Sequence, residues 1–347
     1  MASNRPGRPF DRVSSWPKPM VSSTRITADD LARFDENGFV VIRGLLDPDC
    51  DFAPVEAEYD TVLDDLVNRW IDQGHLDQPH AGLPFAERLL QTVPRARQPY
   101  DLALDISLPQ ADIRCDTPMH HGPAVFDLLR TPVLLDAVEQ FIGPEIYSNP
   151  VQHARIKLPE SAIPPEAWSG LTARIDWHQD QGVITGDADQ CEILTVWFPI
   201  TEAHVDNSCL AVVPGSHKRD LVTHCQSTNP LTRGQVAIPD TLVEPHQLPL
   251  PMDPGDVLFM HRRTQHAGLP NHSDRIRWSF DLRYQPIGQP TGREWFPGFV
   301  ARSQAHPDSV LDDAQAWDAS WHDARSRLAA GNDVRFNRWK GDSPHCA

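Results

Sequence analysis

Residues 275–284, RIRWSFDLRY, alternate polar and apolar side chains over their whole length. Because successive side chains of a β-strand point to opposite faces, this pattern predicts a strand with one polar and one apolar face. The polar face would carry Arg275, Arg277, Ser279, Asp281 and Arg283. A polar row backed by an apolar row is expected in the wall of a barrel or jelly roll whose polar side lines a site.

Other short apolar runs are separated by clusters of Pro, Gly, Asn and Asp. They include residues 151–157, 192–200, 209–213 and 256–260. Short strands at such spacing are typical of an antiparallel sandwich or jelly roll, and the 33 prolines favour long ordered loops. We therefore expect a mostly β fold with flanking helices (α+β), built on a double-stranded β-helix (jelly roll, cupin-like) core.

Helical patterns lie on either side of these runs. Thr27 is a plausible N-cap, with Asp29 and Asp30 in the first turn, and Asn37-Gly38 would end that helix before a strand at residues 39–42. Further helices are predicted at about residues 52–91, 124–141 and 310–328. Residues 1–25 are expected to be a flexible N-terminal segment, and residues 26–347 a single domain with helical decorations.

Bulk composition limits the class of function. The formal net charge of -17 argues against binding to nucleic acid or to an anionic membrane surface. No apolar run reaches the roughly 18 residues of a transmembrane helix, and the N-terminal residues lack the apolar region of a secretory signal. The six cysteines contain no C-x-x-C pair, so reduced thiols in a cytoplasmic protein are expected. The expected partner is a small-molecule substrate; the oligomeric state is not indicated.

A metal site is indicated by residues 174–182, RIDWHQDQG. If this segment is extended, His178 and Asp180 point to the same side. An imidazole and a carboxylate so placed form two parts of the 2-His-1-carboxylate triad that holds Fe(II) and leaves positions open for O₂ and a cosubstrate. The stretch GDVLFMHRRTQH, residues 255–266, offers His266 or His261 as third ligand. Arg275 or Arg277 would then pair with a carboxylate cosubstrate.

At this point the sequence resembles the phytanoyl-CoA dioxygenase family of Fe(II)/2-oxoglutarate oxygenases, which also includes ectoine hydroxylase. The similarity covers roughly residues 26–286, and its blocks occur in the family's order and spacing. They are LARFDENGFVVIRGLL at 31–46, WHQD at 177–180, Trp197 with DNSCL at 206–210 and VPGSH at 213–217, and residues 255–266 followed by Asn271, Ser273 and Arg277.

The resemblance implies roles for single residues. His178, Asp180 and His266 would bind Fe(II), which selects His266 over His261. Arg277, eleven residues after His266, would hold the far carboxylate of 2-oxoglutarate, which selects it over Arg275. Gln152 and Trp197 resemble positions that contact the cosubstrate. The reaction implied is O₂-dependent hydroxylation of an unactivated C–H bond, with release of succinate and CO₂.

Some features leave alternatives open. Many members of the family carry Ser where this chain has Gly268, so a hydroxyl contact to the cosubstrate is missing or is replaced by Thr264 or Ser279. Relatives that halogenate lack the carboxylate of Asp180, so its presence favours hydroxylation, desaturation or ring formation. The pair His120-His121 would line the pocket mouth or a surface turn. A basic rim for a thioester substrate is offered by Arg155, Lys157, Arg262 and Arg263.

The alternative functions are a cupin-like protein that binds another metal in the same triad, and a non-catalytic relative that kept the fold. Iron-dependent O₂ consumption stimulated by 2-oxoglutarate separates the first alternative from a dioxygenase. The complete set of candidate ligands disfavours the second, because a relaxed site should have lost at least one of them.

Overall fold

The computed structural model describes residues 26–168, 172, 174–227, 235–331 and 334–346; the expected flexible segment at 1–25 lies outside them. The α-helices in the described residues are α1 (Ala28–Asn37), α2 (Ala53–Asp72), α3 (Phe85–Ala96), α4 (Asp101–Leu104), α5 (Pro123–Leu129), α6 (Pro132–Ile142) and α7 (Ala314–Ala329). No helix among these is both long and apolar enough to cross a membrane.

The strands form two larger sheets and one small one. They are β1 (Phe39–Ile42), β2 (Ile146–Lys157), β3 (Ile175–His178), β4 (Leu194–Pro199), β5 (Leu210–Val212), β6 (Cys225–Gln226), β7 (Val236–Ala237), β8 (Leu248–Leu250), β9 (Val257–His261), β10 (His266–Gly268), β11 (Arg277–Pro286) and β12 (Phe299–Arg302).

The six-stranded sheet has the order β1-β9-β4-β11-β2-β12, and the four-stranded sheet has the order β3-β10-β5-β8. Every strand pairing in them is antiparallel. Two antiparallel sheets with helices on the outside of one confirm the predicted jelly-roll class.

The alternation along β11 decides how the layers pack. Trp278, Phe280, Leu282 and Tyr284 belong to the large core that the six-stranded sheet shares with the helices. On β4, Val196 and Phe198 face that same core, whereas Trp197 belongs to a smaller core shared with β5 of the other sheet. The polar row of β11 therefore lies on the side of the sheet that faces the four-stranded sheet, as its sequence predicts, but the strand begins at Arg277, and Arg275 lies exposed before it.

The entry into the sheet is also as predicted. Thr27 and Asp30 form a reciprocal capping box at the start of α1, and Gly38 ends this helix with a positive φ of 80°. Glycine adopts that left-handed conformation without the steric cost that a Cβ atom brings, so the chain turns directly into β1.

Two predicted helices are wrong in extent. The stretch 52–91 is divided into α2 and α3, and the stretch 124–141 into α5 and α6. Gly74, Pro79, Gly82 and Pro84 lie in the first gap, where they favour turns over helix. Pro132 begins α6, because proline disfavours the helical conformation of the residue before it.

The cysteine prediction is wrong for one pair. Cys225 and Cys346 form a disulfide that joins β6 to the last described turn of the chain. The other four cysteines, Cys50, Cys115, Cys191 and Cys209, are free thiols. The two bonded cysteines are 121 residues apart, a separation at which sequence spacing carries no information about pairing.

Helix α5 receives its N-terminal cap from a different helix. The Glu58 carboxylate on α2 accepts hydrogen bonds from the backbone N–H groups of Ala124 (2.8 Å) and Val125 (3.4 Å), and it contacts His120 Nε2 at 2.7 Å. A carboxylate at this place satisfies unpaired N–H groups and lies at the positive end of the helix dipole.

We expect Glu58→Ala to lower the free energy of unfolding by about 2 kcal/mol, because it removes a cap and leaves polar groups inside the fold without a partner. Glu56→Ala, an exposed position on the same helix, is the matched control and should change stability by less than about 0.5 kcal/mol. Urea denaturation of both variants measures the difference. Equal midpoints for the two would contradict the capping role.

Candidate metal centre

His178 and His266 are brought together by the pairing of β3 with β10. The two residues are direct partners in the antiparallel register, and their ring centroids lie 4.1 Å apart. Asp180 lies just beyond the end of β3, at the start of a 3-10 turn over Asp180–Val183. The segment is therefore not extended through Asp180, yet its side chain still reaches the two imidazoles.

The three side chains converge on one point. The Nε2 atoms of His178 and His266 lie 3.8 and 3.9 Å from Asp180 Oδ1. One candidate ligand atom from each residue lies within 4.8 Å of the others, and all three residues are largely buried. Two imidazole nitrogens and one carboxylate oxygen are the donor set typical of a non-haem Fe(II) site, so these residues fit that metal.

The hydrogen bonds of both rings fix which nitrogen faces the centre. His178 Nδ1 lies 2.9 Å from the carbonyl oxygen of Asp176, and His266 Nδ1 lies 3.0 Å from that of Thr264. A carbonyl only accepts, so each Nδ1 must carry the proton and donate it. Each Nε2 then presents a lone pair to the centre, as a metal ligand requires.

Electrostatics favour the same protonation states. Burial lowers the pKa of His178 well below its usual range, and the neighbouring His266 lowers it further. The pKa of Asp180 would be raised by burial alone, but Arg283 and the two histidines outweigh that effect and hold it well below its usual range. A neutral imidazole beside an ionised carboxylate suits the binding of a divalent cation.

Arg283 contacts the candidate ligand Asp180, and this contact was not predicted from the sequence. Its guanidinium forms an ion pair with Asp180 Oδ1, while Thr195 Oγ1 donates to Asp180 Oδ2. Arg283 belongs to the polar row of β11, so the row itself was the signal that could have found it. Both oxygens of the candidate ligand are thus oriented by strands of the six-stranded sheet.

The C-terminal segment supports the turn that carries Asp180. Trp339 Nε1 donates to the carbonyl oxygen of Gly182 (2.6 Å), and its ring stacks on His224. His224 Nε2 accepts from the backbone N–H of Gln179, the residue between the two ligands on the chain. The Cys225–Cys346 disulfide joins the residue after His224 to the same C-terminal segment.

The candidate cosubstrate residues are placed unequally. Arg277 is fully buried, and its guanidinium carbon lies 5.7 Å from the ring centroid of Trp197, so the structure brings these two together on the inner side of the sheet. Gln152 is also buried, but its side-chain N–H donates to the carbonyl oxygen of Ile106 (3.0 Å). No contact joins Gln152 to Arg277 among the contacts of the described residues.

The alternative candidates lie outside the cluster. His261 packs against His217 and its Nδ1 accepts from the backbone N–H of Arg263. Arg275 is half-exposed and forms ion pairs with Glu202 and Asp206, as expected for a surface residue.

The structure places His120 and His121 beside helices α2 and α7. His120 pairs with Glu58, as described for the cap of α5. His121 is buried and stacks on Trp321, against α7. Both histidines therefore belong to the packing of the helical layer.

Comparison with known proteins agrees with this geometry. The model of the family described as phytanoyl-CoA dioxygenase matches residues 34–279. A probable phytanoyl-CoA dioxygenase of Caenorhabditis elegans is 28% identical over 168 residues, which is 47% of this chain and 51% of that protein. The chain thus spans about half the length of this relative.

A 1-deoxypentalenic acid 11-beta-hydroxylase of Streptomyces arenae is 26% identical over 269 residues, or 75% of this chain and 81% of that protein. Among solved structures, a non-haem monooxygenase, ThoJ in its apo form, superposes with a TM-score of 0.52 at 18% identity, covering 86% of this chain and 96% of that one. The family match extends over most of the chain and includes every candidate metal ligand. The chain belongs to the phytanoyl-CoA dioxygenase family.

Proposed function

We propose that this protein is an Fe(II)/2-oxoglutarate-dependent dioxygenase that hydroxylates an unactivated C–H bond of a small molecule and releases succinate and CO₂. The observation that carries the proposal is the buried cluster of His178, Asp180 and His266, with both Nε2 atoms directed at the same point as the carboxylate. Membership of the family supports it.

In this proposal His178, Asp180 and His266 hold the metal on one face and leave its other positions open. Bound iron, 2-oxoglutarate and O₂ supply the oxidising chemistry; the protein binds, orients and excludes water. Arg283 and Thr195 keep the Asp180 carboxylate ionised and fixed in direction. Asp180 would occupy the position that a halide takes in relatives that halogenate, which favours hydroxylation, desaturation or ring formation over halogenation.

Arg277 and Trp197 are the proposed cosubstrate contacts best supported by position. A buried guanidinium beside an aromatic ring, on the same sheet face as Arg283, suits the far carboxylate of 2-oxoglutarate. Gln152 would be a further contact to the cosubstrate, with its side-chain amide oriented by a hydrogen bond to the carbonyl oxygen of Ile106.

We further propose that residues 26–347 act as one domain on a small-molecule substrate, without nucleic acid or membrane as partner. Helices from distant parts of the chain pack on one core, which includes Val55 and Leu63 of α2 together with Trp317 and Trp321 of α7. The hydroxylase from Streptomyces arenae acts, by its name, on 1-deoxypentalenic acid. That relative supports a small-molecule substrate.

A cytoplasmic location belongs to the same proposal. The Cys225–Cys346 disulfide is unusual for that compartment, because cytosolic reductants keep most thiols reduced.

Loss of one metal ligand should abolish iron binding. We expect His266→Ala to reduce Fe(II) affinity by more than the roughly 10- to 100-fold that loss of an outer hydrogen-bond partner costs, because a bond to the metal is removed. His261→Ala, five residues earlier and outside the cluster, is the matched control and should retain iron. Iron content after anaerobic equilibrium dialysis measures both. Retention by His266→Ala with loss in His261→Ala would overturn the ligand assignment.

Removing the Arg277 guanidinium should weaken cosubstrate binding. We expect Arg277→Gln to raise the KM for 2-oxoglutarate by about 100-fold, since a charge-assisted bidentate contact is lost. Arg275→Gln lies two residues away on the surface and should leave KM unchanged. Succinate release at varied 2-oxoglutarate gives both values. Absence of any 2-oxoglutarate-dependent O₂ uptake by the unmodified protein with Fe(II), across a broad substrate panel, would count against the dioxygenase itself.

A further inference from the structure

Lys157, the last residue of β2, has a buried amino group, and burial together with the neighbouring Arg277 lowers the pKa of that group well below its usual range. Its side chain is 1% exposed, and among the described residues the amino group has no hydrogen-bond partner. Burying an ammonium ion without a counter-ion is costly, so such groups are rare unless a ligand completes them. Neither the proposed metal ligands nor their hydrogen bonds account for this lysine.

The residue opposite Lys157 is a second buried basic group. Arg277 is its direct partner in the antiparallel register of β2 and β11, and like charges so placed destabilise a sheet. The hydrogen bonds of Arg277 go to neutral groups only, namely the carbonyl and hydroxyl oxygens of Ser208 and the hydroxyl of Ser279. Among the described residues no carboxylate forms an ion pair with either side chain, so a bound anion would stabilise the charged form of both.

The amino group of Lys157 lies on the side of β10 that carries the candidate ligand His266. A Cβ atom added to Gly268 would lie 3.3 Å from Lys157 Nζ. Gly268 is two residues after His266 on β10, so a side chain at 268 would point to the same side of the strand as the His266 imidazole. The two positions are about 7 Å apart along the strand. The lysine therefore reaches the inner space between the two sheets, next to the candidate metal.

Of the two hydroxyls that could replace the family serine, Thr264 is engaged elsewhere, whereas Ser279 lies beside Arg277. Thr264 Oγ1 donates to the carbonyl oxygen of Gly38, and Ser279 Oγ accepts from Arg277. The space that a serine side chain would enter at 268 is bounded by Lys157 Nζ. Glycine at 268 leaves room for the ammonium, so the two positions are coupled.

We propose that Lys157 is a second anchor for the far carboxylate of the cosubstrate, acting with Arg277 and taking the place of the serine that many relatives carry at 268. The proposal rests on the function proposed above and deepens it. Two cations facing one carboxylate make the site selective for 2-oxo acids that end in a second carboxylate. Lys157 is thus a specificity-determining residue, and it does not belong to a basic rim for the substrate.

The test compares two ligands and two variants. Lys157→Met keeps an unbranched side chain and removes its amino group; Lys218→Met, at an exposed lysine paired with Glu36, is the matched control. The ligands are 2-oxoglutarate and 2-oxopentanoate, which has a methyl group in place of the far carboxylate. Binding to the Fe(II) protein is followed without O₂ by the metal-to-ligand absorption band and by equilibrium dialysis.

Lys157→Met should weaken 2-oxoglutarate binding by about 10- to 100-fold, the value of a hydrogen bond to a charged group. Binding of 2-oxopentanoate should change by less than about threefold. Lys218→Met should leave both affinities unchanged. In the Lys157→Met background, Gly268→Ser should restore part of the affinity for 2-oxoglutarate, because the hydroxyl can then enter the vacated space.

Thermal unfolding gives a readout that does not require iron. Lys157→Met should raise the melting temperature of the protein without ligand, since it removes one of two facing buried basic groups. The increase in melting temperature on adding 2-oxoglutarate with Fe(II) should be smaller than in the unmodified protein. If the methionine variant does not fold, Lys157→Gln, which keeps a donor but no charge, replaces it with the same expectation for binding.

The outcomes separate this inference from the function on which it rests. If the unmodified protein binds no 2-oxoglutarate, both fail. If the unmodified protein binds it and Lys157→Met binds it equally well, the lysine role is wrong and the dioxygenase stands. If the variant loses affinity equally for both ligands, Lys157 only shapes the pocket, and the specificity role is overturned.

Discussion

The ion pair between Asp180 and Arg283 is the contact on which the architecture of the site depends. Asp180 is 2% exposed, and an isolated carboxylate cannot remain ionised at such a depth. Arg283 supplies the charge and Thr195 a hydroxyl, each from the inner face of the six-stranded sheet. The turn after β3 is thereby fastened to the opposite sheet, which sets the distance between His178, His266 and their carboxylate neighbour.

This requirement explains why β11 carries a costly row of charges inside the fold. Removing one partner of a buried ion pair is strongly destabilising, whereas apolar residues in place of both are often tolerated. These charges are therefore better explained by the groups that they position, such as the Asp180 carboxylate, than by a contribution to stability. The apolar row on the other side of β11, including Trp278 and Phe280, packs against the helices and offsets the cost through burial.

Much of the fold and of the candidate site could be predicted from the sequence, wherever a single periodicity or motif determines a feature. The alternation of polar and apolar residues predicted the two faces of β11, and the motifs shared with the family predicted His178, Asp180 and His266 as metal ligands. Features that depend on distant segments could not be predicted: the ion pair of Asp180 joins residues 103 apart on the chain, and the disulfide joins residues 121 apart. The boundary between α5 and α6 was missed for a local reason. The apolar periodicity continues across Pro132, but the helix is interrupted just before that residue.

The charges along the inner face also differ between its two ends. Near the metal centre Arg283 is balanced by Asp180, and in the middle of the row Asp281 lies between Arg283 and Arg155 at 3.4 and 3.5 Å. At the other end Arg277 faces Lys157, and among the described residues no carboxylate pairs with either. A sheet that balances its buried charges at one end and leaves two basic side chains together at the other favours an anionic group of a ligand at that second end. The far carboxylate belongs between Arg277 and Lys157, which directs the reactive end of the ligand toward Asp180.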